Sequence, residues 1–263
     1  MASDVLGRIV AAVNARLAAT PPAPDLEGAA HVAAAARRRQ RRSLRAALTS
    51  RRSAVIAECK PASPSAGVLK GDLDPVRLAL AYERGGAAAI SVVTEPDFFA
   101  GDPAWIGGVR EAAGLPVLRK DFVVTSRQLL ETSALGADAV LLINRLLEPP
   151  LLRELLDLAR SLELEVLLEV FADEDPAPAI ASGAEIIGVN ARDLATFAVD
   201  LERVAATAAA IPADRLKVAE SGISSHADIE RLAASGYDAF LVGEHLVRAA
   251  DPQRALAALL GTP

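Results

Sequence analysis

Glu58 and Lys60 stand two residues apart, where the apolar run Val55-Ile56-Ala57 ends and the chain breaks into Pro61-Ala62-Ser63-Pro64. Side chains alternate across a strand, so the acid and the base point to the same side. Opposite charges at the end of an apolar strand are costly unless paired or at work. A structural ion pair would meet that cost by itself, so the remaining strand ends must decide. Lys120, Glu169, Asn190 and Glu220 each close another apolar run. Random surface composition would not place such groups at five strand mouths. Lysines and carboxyls crowded into a low-dielectric mouth shift one another's pKa values and exchange protons, which is acid/base chemistry. Other chemistries lack their parts. His31 lies in the leading segment, His226 follows a turn, and His245 lies just past Gly243, where it reads as a surface or capping residue. A His/Cys metal cluster is unsupported, and a serine nucleophile has no base. Cys59, inside the first strand, reads as an inert buried thiol.

The elements that carry these residues recur with a fixed rhythm. Strand-like apolar runs fall at 55–59, 88–93, 116–119, 138–143, 164–168, 185–189, 216–219 and 238–242. Stretches of helical period lie between them, such as 74–84, 126–135, 149–162, 225–235 and 251–260. Glycines at 85–86, 136, 183 and 236 close helices just before the next strand. Eight nearly continuous apolar strands alternating with helices imply a parallel sheet covered on its outside. The first turn has no GxGxxG, which disfavours an open doubly wound sheet. The expectation is a single (β/α)8 TIM barrel over 1–263, with 1–53 as an N-terminal helical extension. Within that extension Val5, Ile9, Val13 and Leu17 predict an amphipathic helix over 4–19, stopped at Thr20-Pro21-Pro22. The basic run Arg37-Arg38-Arg39-Gln40-Arg41-Arg42 reads as a solvated helix face.

Composition narrows the partners. A net charge of −6 argues against nucleic acid. One cysteine rules out a disulfide framework, and no apolar run reaches the roughly 20 residues of a membrane span. A soluble cytoplasmic protein is expected. Two turns suit a phosphate: Glu220-Ser221-Gly222-Ile223 and Val242-Gly243-Glu244 follow the last two strands, the usual phosphate position in these barrels. Glycine lets the backbone approach an anion closely. Ser63 and Ser65 could add hydroxyl donors from the opposite side.

The segments IAECKPASPSAG (56–67), TEPDFFAGD (94–102), LPVLRKDF (115–122), GADAVLLI (136–143), LLEV (167–170), IGVNARDL (187–194), VAESGI (218–223) and FLVGE (240–244) closely resemble the indole-3-glycerol phosphate synthase family. This is the tryptophan-pathway barrel that closes the indole ring. The resemblance covers all eight strand ends. It implies decarboxylating ring closure of 1-(2-carboxyphenylamino)-1-deoxyribulose 5-phosphate. Lys120 looks like the family's general acid toward the substrate ketone. Glu58 and Lys60 look like a proton-transfer pair, and Lys60 also fits a contact to the departing carboxylate. Glu169 and Glu220 match carboxylates that stabilise the cationic intermediate. Asn190 matches a residue that orients the substrate, and Arg192 one that supports the anionic end. Ser63, Ser221, Gly222, Gly243 and Glu244 match the phosphate cradle. Phe99, Phe122, Leu141 and Leu194 match the apolar pocket for the anthranilate ring.

The resemblance implies no cofactor and no metal. The phosphorylated small-molecule substrate is the expected partner, with no nucleic acid or membrane, and the chain is expected to act as a monomer or weak homo-oligomer. There are departures from the family's pattern at Pro61, Ala66, Phe171 and Ala191, none of them a residue given chemistry above. Two rivals stay open at this level: a Schiff-base aldolase using Lys60 or Lys120 as nucleophile, and a non-catalytic binder of a phosphorylated ligand.

Overall fold

A computed structural model describes residues 5–40, 42–193 and 196–262. Eight parallel strands close into a barrel: β1 (Ala54–Cys59), β2 (Ala89–Val93), β3 (Val117–Lys120), β4 (Ala139–Ile143), β5 (Glu165–Phe171), β6 (Ile186–Asn190), β7 (Leu216–Glu220) and β8 (Ala239–Val242), with β8 pairing back to β1. Strand positions agree with the sequence expectation within a residue or two. The exception is β5, which runs on to Phe171 and so carries Glu169 inside the strand.

The period of two sorts the core. Val55, Ala57 and Cys59 face the surrounding helices in the large outer cluster. Ala54 and Ile56 turn inward and pack with Ala89, Leu118, Ala139, Leu167, Ile186, Val218 and Ala239 in the barrel interior. Layers of Ala and branched aliphatics therefore fill the lower barrel, and the next inward layer up is where the polar groups begin. Leu44 and Leu48 of the short helix α3 (Leu44–Thr49) join that inner cluster and plug the bottom.

Helices cover the outside, among them α4 (Pro75–Arg84), α5 (Pro96–Phe99), α6 (Trp105–Ala112), α7 (Ser126–Ala134), α8 (Pro149–Ser161), α9 (Ala177–Ala181), α10 (Leu201–Thr207), α11 (His226–Ala234), α12 (Glu244–Arg248) and α13 (Pro252–Leu259). Gly86, Gly136, Gly183 and Gly236, expected to close helices, all have positive φ. No helix among the described residues is long and apolar enough to cross a membrane.

Two segments of the extension differ from expectation in where they go. Helix α1 (Val5–Ala19) has its apolar stripe, but that stripe lies over the barrel mouth. Val5, Ile9 and Val13 pack with Phe98, Phe99, Phe122 and Phe197. Arg127 fastens its C-terminal end by donating to the carbonyls of Leu17 and Thr20, at 3.0 and 2.6 Å. The arginine run on α2 (Leu26–Arg39) is a solvated face only in part, which corrects the sequence reading. Arg37 is 4% exposed and donates to Ser133 O at 3.0 Å, to Leu162 O at 2.8 Å and to Ser133 Oγ at 2.5 Å. Arg42 donates to the carbonyls of Arg110 and Ala113 at 2.8 and 2.7 Å. These carbonyls lie at the C-terminal ends of α6, α7 and α8, where a cation is favoured. Arg41 lies outside the described residues.

Candidate active site

The first inward layer above the apolar plug holds Glu58, Ser91, Lys120, Glu169, Gly188, Glu220 and, past the end of β8, Gly243. These positions surround a cavity of about 420 Å³ that opens at the C-terminal mouth. Lys60, one residue beyond β1, folds back so that its Nζ lies 2.9 Å from Glu58 Oε1. The other Glu58 oxygen accepts from Ser91 Oγ at 3.4 Å on the neighbouring strand. Across the cup, Lys120 Nζ lies 3.2 Å from Glu169 Oε2 and 3.5 Å from Glu220 Oε2. Lys60 and Lys120 thus line the same cavity, and both act on Glu58.

The electrostatics follow from burial and these pairs. Burial alone would raise the Glu58 pKa, but Lys60 and then Lys120 outweigh it and hold it below the ordinary carboxylate value. Burial works against the Lys120 ammonium too, yet Glu169, Glu220 and Glu58 raise its pKa, so it stays protonated. Glu220 behaves oppositely. Burial and the Glu169 charge push its pKa well above the usual value, and Lys120 does not offset them. Neither Glu220 oxygen has a hydrogen-bond partner.

The residues on either side of Lys120 fix the end of β3. Arg119 turns outward, donating to Thr94 Oγ1, Gln128 O and Thr132 Oγ1 at 3.0–3.1 Å. It also holds Asp121 Oδ2 at 2.8 Å, and although burial opposes it, Arg119 keeps the Asp121 carboxyl below its ordinary value.

One wall is formed by the turns after the last two strands. Ser221 and Gly222 have consecutive positive φ of 70° and 77°, and they begin the turn that follows β7. A Cβ on Gly222 would stand 2.2 Å from Val199 Cγ1, so only glycine fits there. Ser63 and Gly243 line the same cavity, and the Glu244 side chain accepts from Arg248 Nε at 3.1 Å. Arg192 lies 3.8 Å from Glu244 Oε2 and donates to Phe197 O, while its own N–H donates to Asn190 Oδ1 at 3.0 Å. The opposite wall is apolar. Phe99 and Phe122 meet with ring centroids 5.8 Å apart, beside Leu141. Glu95 positions Phe99 by accepting from the N–H groups of Asp97, Phe98 and Phe99. Leu194 lies outside the described residues.

All the other expected site residues line this one cavity. Sequence reasoning missed Val5, Ile9, Phe171, Phe197 and Arg248, which also line it. The α1 stripe was visible in the sequence, but its docking place depends on tertiary contacts. His245, expected at the surface or as a cap, lines the cavity as well. Among the described residues no cluster of His, Cys, Asp and Glu could hold a metal.

A family model described as indole-3-glycerol phosphate synthase matches residues 6–259. The chain belongs to the indole-3-glycerol phosphate synthase family. The relative from Geobacillus thermodenitrificans named indole-3-glycerol phosphate synthase is 45% identical over 92% of this chain and 91% of its own. One from Aromatoleum aromaticum is 42% identical over 98% of this chain and 100% of its own. Among solved structures, a thiamine phosphate pyrophosphorylase from Pyrococcus furiosus (TM-score 0.61, 20% identity, 83% of this chain and 96% of that one) and a 3-hexulose-6-phosphate synthase (TM-score 0.62, 19% identity, 79% and 98%) share the barrel fold. Membership in the indole-3-glycerol phosphate synthase family makes the protein an enzyme, a carboxy-lyase of tryptophan biosynthesis.

The left-handed Ser221-Gly222 pair is expected to set affinity for a phosphorylated ligand. Gly222→Ala puts a methyl at positive φ and against Val199, which displaces the backbone donors. We expect KM to rise about 10-fold with kcat changed less than about 3-fold, the pattern of lost uniform binding. A fall in kcat with unchanged KM in steady-state kinetics would contradict that role.

Proposed function

We propose that the cup closes the indole ring of 1-(2-carboxyphenylamino)-1-deoxyribulose 5-phosphate, releasing carbon dioxide and water. The observation that carries this reading is the convergence of two carboxyl-paired ammonium groups in one cavity, with the Ser221-Gly222 turn on one wall and phenyl rings on the other. The phosphate sits at Ser221, Gly222, Gly243 and Ser63, supported through Arg192. The anthranilate ring lies against Phe99, Phe122 and Leu141. Asn190 orients the chain between them, and the ketone then faces the ammonium groups.

Lys120 gives its proton to the ketone oxygen as the carboxylated ring carbon attacks, forming the new carbon–carbon bond. The positive charge left on the ring and its nitrogen faces Glu169 and Glu220. Carbon dioxide leaves from the side of Lys60, and its bonding electrons restore the aromatic ring. The hydroxyl made from the ketone is then protonated and departs as water, while a base removes a proton from the adjacent methylene. Lys60 and Glu58, 2.9 Å apart, are the pair we assign to that step. Glu169 beside Lys120 re-protonates the general acid. A carbonyl-attacking amine must be neutral, whereas Lys120 is held charged between two carboxyls, which disfavours a Schiff base.

We read the chain as one barrel domain with 1–53 as its extension, acting as a monomer or weak homo-oligomer, because one chain supplies the whole cup. The phosphorylated substrate is its proposed partner. The test is the purified protein with the carboxyphenylamino substrate, followed by indole fluorescence and by carbon dioxide release. One carbon dioxide per indole product is expected, with no borohydride-trapped adduct. Binding of the substrate without an indole product would overturn the reading.

A further inference from the structure

The inward layer of the barrel contains a gap that the mechanism above does not use. Gly188 on β6 is in register with Glu169 on β5, and two residues further Asn190 is in register with Glu220 on β7. Gly188 therefore lies between the two carboxyls that flank Lys120. A Cβ built on Gly188 would stand 2.1 Å from Glu220 Oε1 and 3.2 Å from Leu167 Cδ1. No real Cβ tolerates the first contact, so the Glu220 carboxyl occupies space that any other residue would fill. The contacts that remain to it are the Lys120 ammonium, at 3.5 Å, and the Glu169 carboxyl. The same device recurs on the other side of the cup. A Cβ on Gly243 of the β8 end would stand 2.4 Å from Glu58 Oε1. Each acid leans across a bare Cα of the neighbouring strand. Gly188 has no positive φ, so backbone conformation does not require glycine there.

We propose that Gly188 is a positioning residue for the ring closure: its missing side chain is the gap through which Glu220 reaches Lys120 and Glu169. This rests on the roles proposed above for those three groups. Filling the gap swings the Glu220 carboxyl off strand β6 toward the open mouth. The carboxyl then separates from Glu169 and gains solvent, so it releases its proton at lower pH than in the wild type. Lys120 loses one of its two carboxyl partners, and the cationic intermediate loses one of its two acids.

The experiment compares wild type, Gly188→Ala, Glu220→Asp and the double variant Gly188→Ala/Glu220→Asp, reading kcat, KM and the pH profile of kcat. Gly188→Ala is expected to lower kcat about 100-fold, with KM within about 3-fold and the inflection from the carboxyl pair moved to lower pH. Aspartate is one methylene shorter and no longer reaches the new methyl, so the double variant should be no slower than Glu220→Asp alone. A merely structural role for Gly188 would change melting temperature without moving the pH profile. Wild-type kcat and profile in Gly188→Ala would overturn the proposal, and so would losses that multiply in the double variant. If Gly188→Ala does not fold, the double variant decides: folded and as active as Glu220→Asp supports the gap, unfolded or slower overturns it. An inactive wild type would instead overturn the proposed reaction, which keeps the two failures distinct.

Discussion

Lys120→Ala is expected to lower kcat about 1000-fold, the mid-range of what a positioned general acid contributes, while KM changes by less than about 5-fold. The Ser221-Gly222 turn and the phenyl wall are untouched by the change, so binding is expected to persist. What is lost is the one cation within reach of both Glu169 and Glu220 among the described residues, at 3.2 and 3.5 Å. Lys60 cannot replace it from the far side of Glu58, to which it is bound at 2.9 Å. The same variant carries a stability signature. Without the ammonium, two buried carboxyls face each other, and both then prefer to be protonated in the folded state. A folded pKa above the unfolded value of about 4.3 gives stability that is complete at low pH and is lost as pH rises through the folded value. The melting temperature of Lys120→Ala should therefore increase on acidification from pH 8 to pH 6, relative to wild type over the same interval. Steady-state kinetics and calorimetry at the two pH values check both parts. A kcat within about 10-fold of wild type would remove Lys120 from the acid's role.

The polar layer of the cavity was legible in the sequence for a specific reason. Buried parallel strands read as unbroken apolar runs, so a charged residue at a run's end stands out against its background. Period two then says which way it points, and Glu58 with Lys60 satisfied that expectation to hydrogen-bond distance. The Gly-rich turns after the last two strands were equally visible, because left-handed backbone leaves its mark on residue type at Gly222. What escaped depends on partners distant in sequence. The apolar stripe of α1 says that it is buried but not that Val5 and Ile9 form the cavity's roof. His245 has no local pattern that separates a cap from a cavity wall. The gap at Gly188 exists only because strand register sets Glu169 and Glu220 on either side of it, and register is invisible to a one-dimensional reading. The arginine run misled for the converse reason. Six basic or polar residues in a row resemble a solvated face, and periodicity gives no sign that one of them meets two helix ends.

Arg37→Met is accordingly expected to be the most destabilising single change outside the cup. Methionine keeps most of the buried aliphatic volume, so the cost isolates the guanidinium. Three hydrogen bonds disappear, two of them to the carbonyls of Ser133 and Leu162, which stay buried at the ends of α7 and α8. Hydrogen bonds to charged groups contribute about 1.5–3 kcal/mol each and are not additive, which gives a loss of about 4 kcal/mol for the set. For a chain of this size that corresponds to a melting temperature lower by roughly 10 °C. Burial pushes the Arg37 pKa down to about 10, still far enough above neutrality for the side chain to act as a cation. Its neighbour supplies the control. Arg38 pairs with Glu163 at 2.6 Å, but its side chain is 72% exposed. Exposed pairs contribute about 0–1 kcal/mol, so Arg38→Ala should shift the melting temperature by no more than about 3 °C. Both residues sit at the bottom of the barrel, away from the cup, and kcat should be unchanged in each. Equal melting temperatures for the two variants would mean that the basic run is a solvated face after all, and that the carbonyl contacts of Arg37 contribute nothing to holding α2 on the barrel.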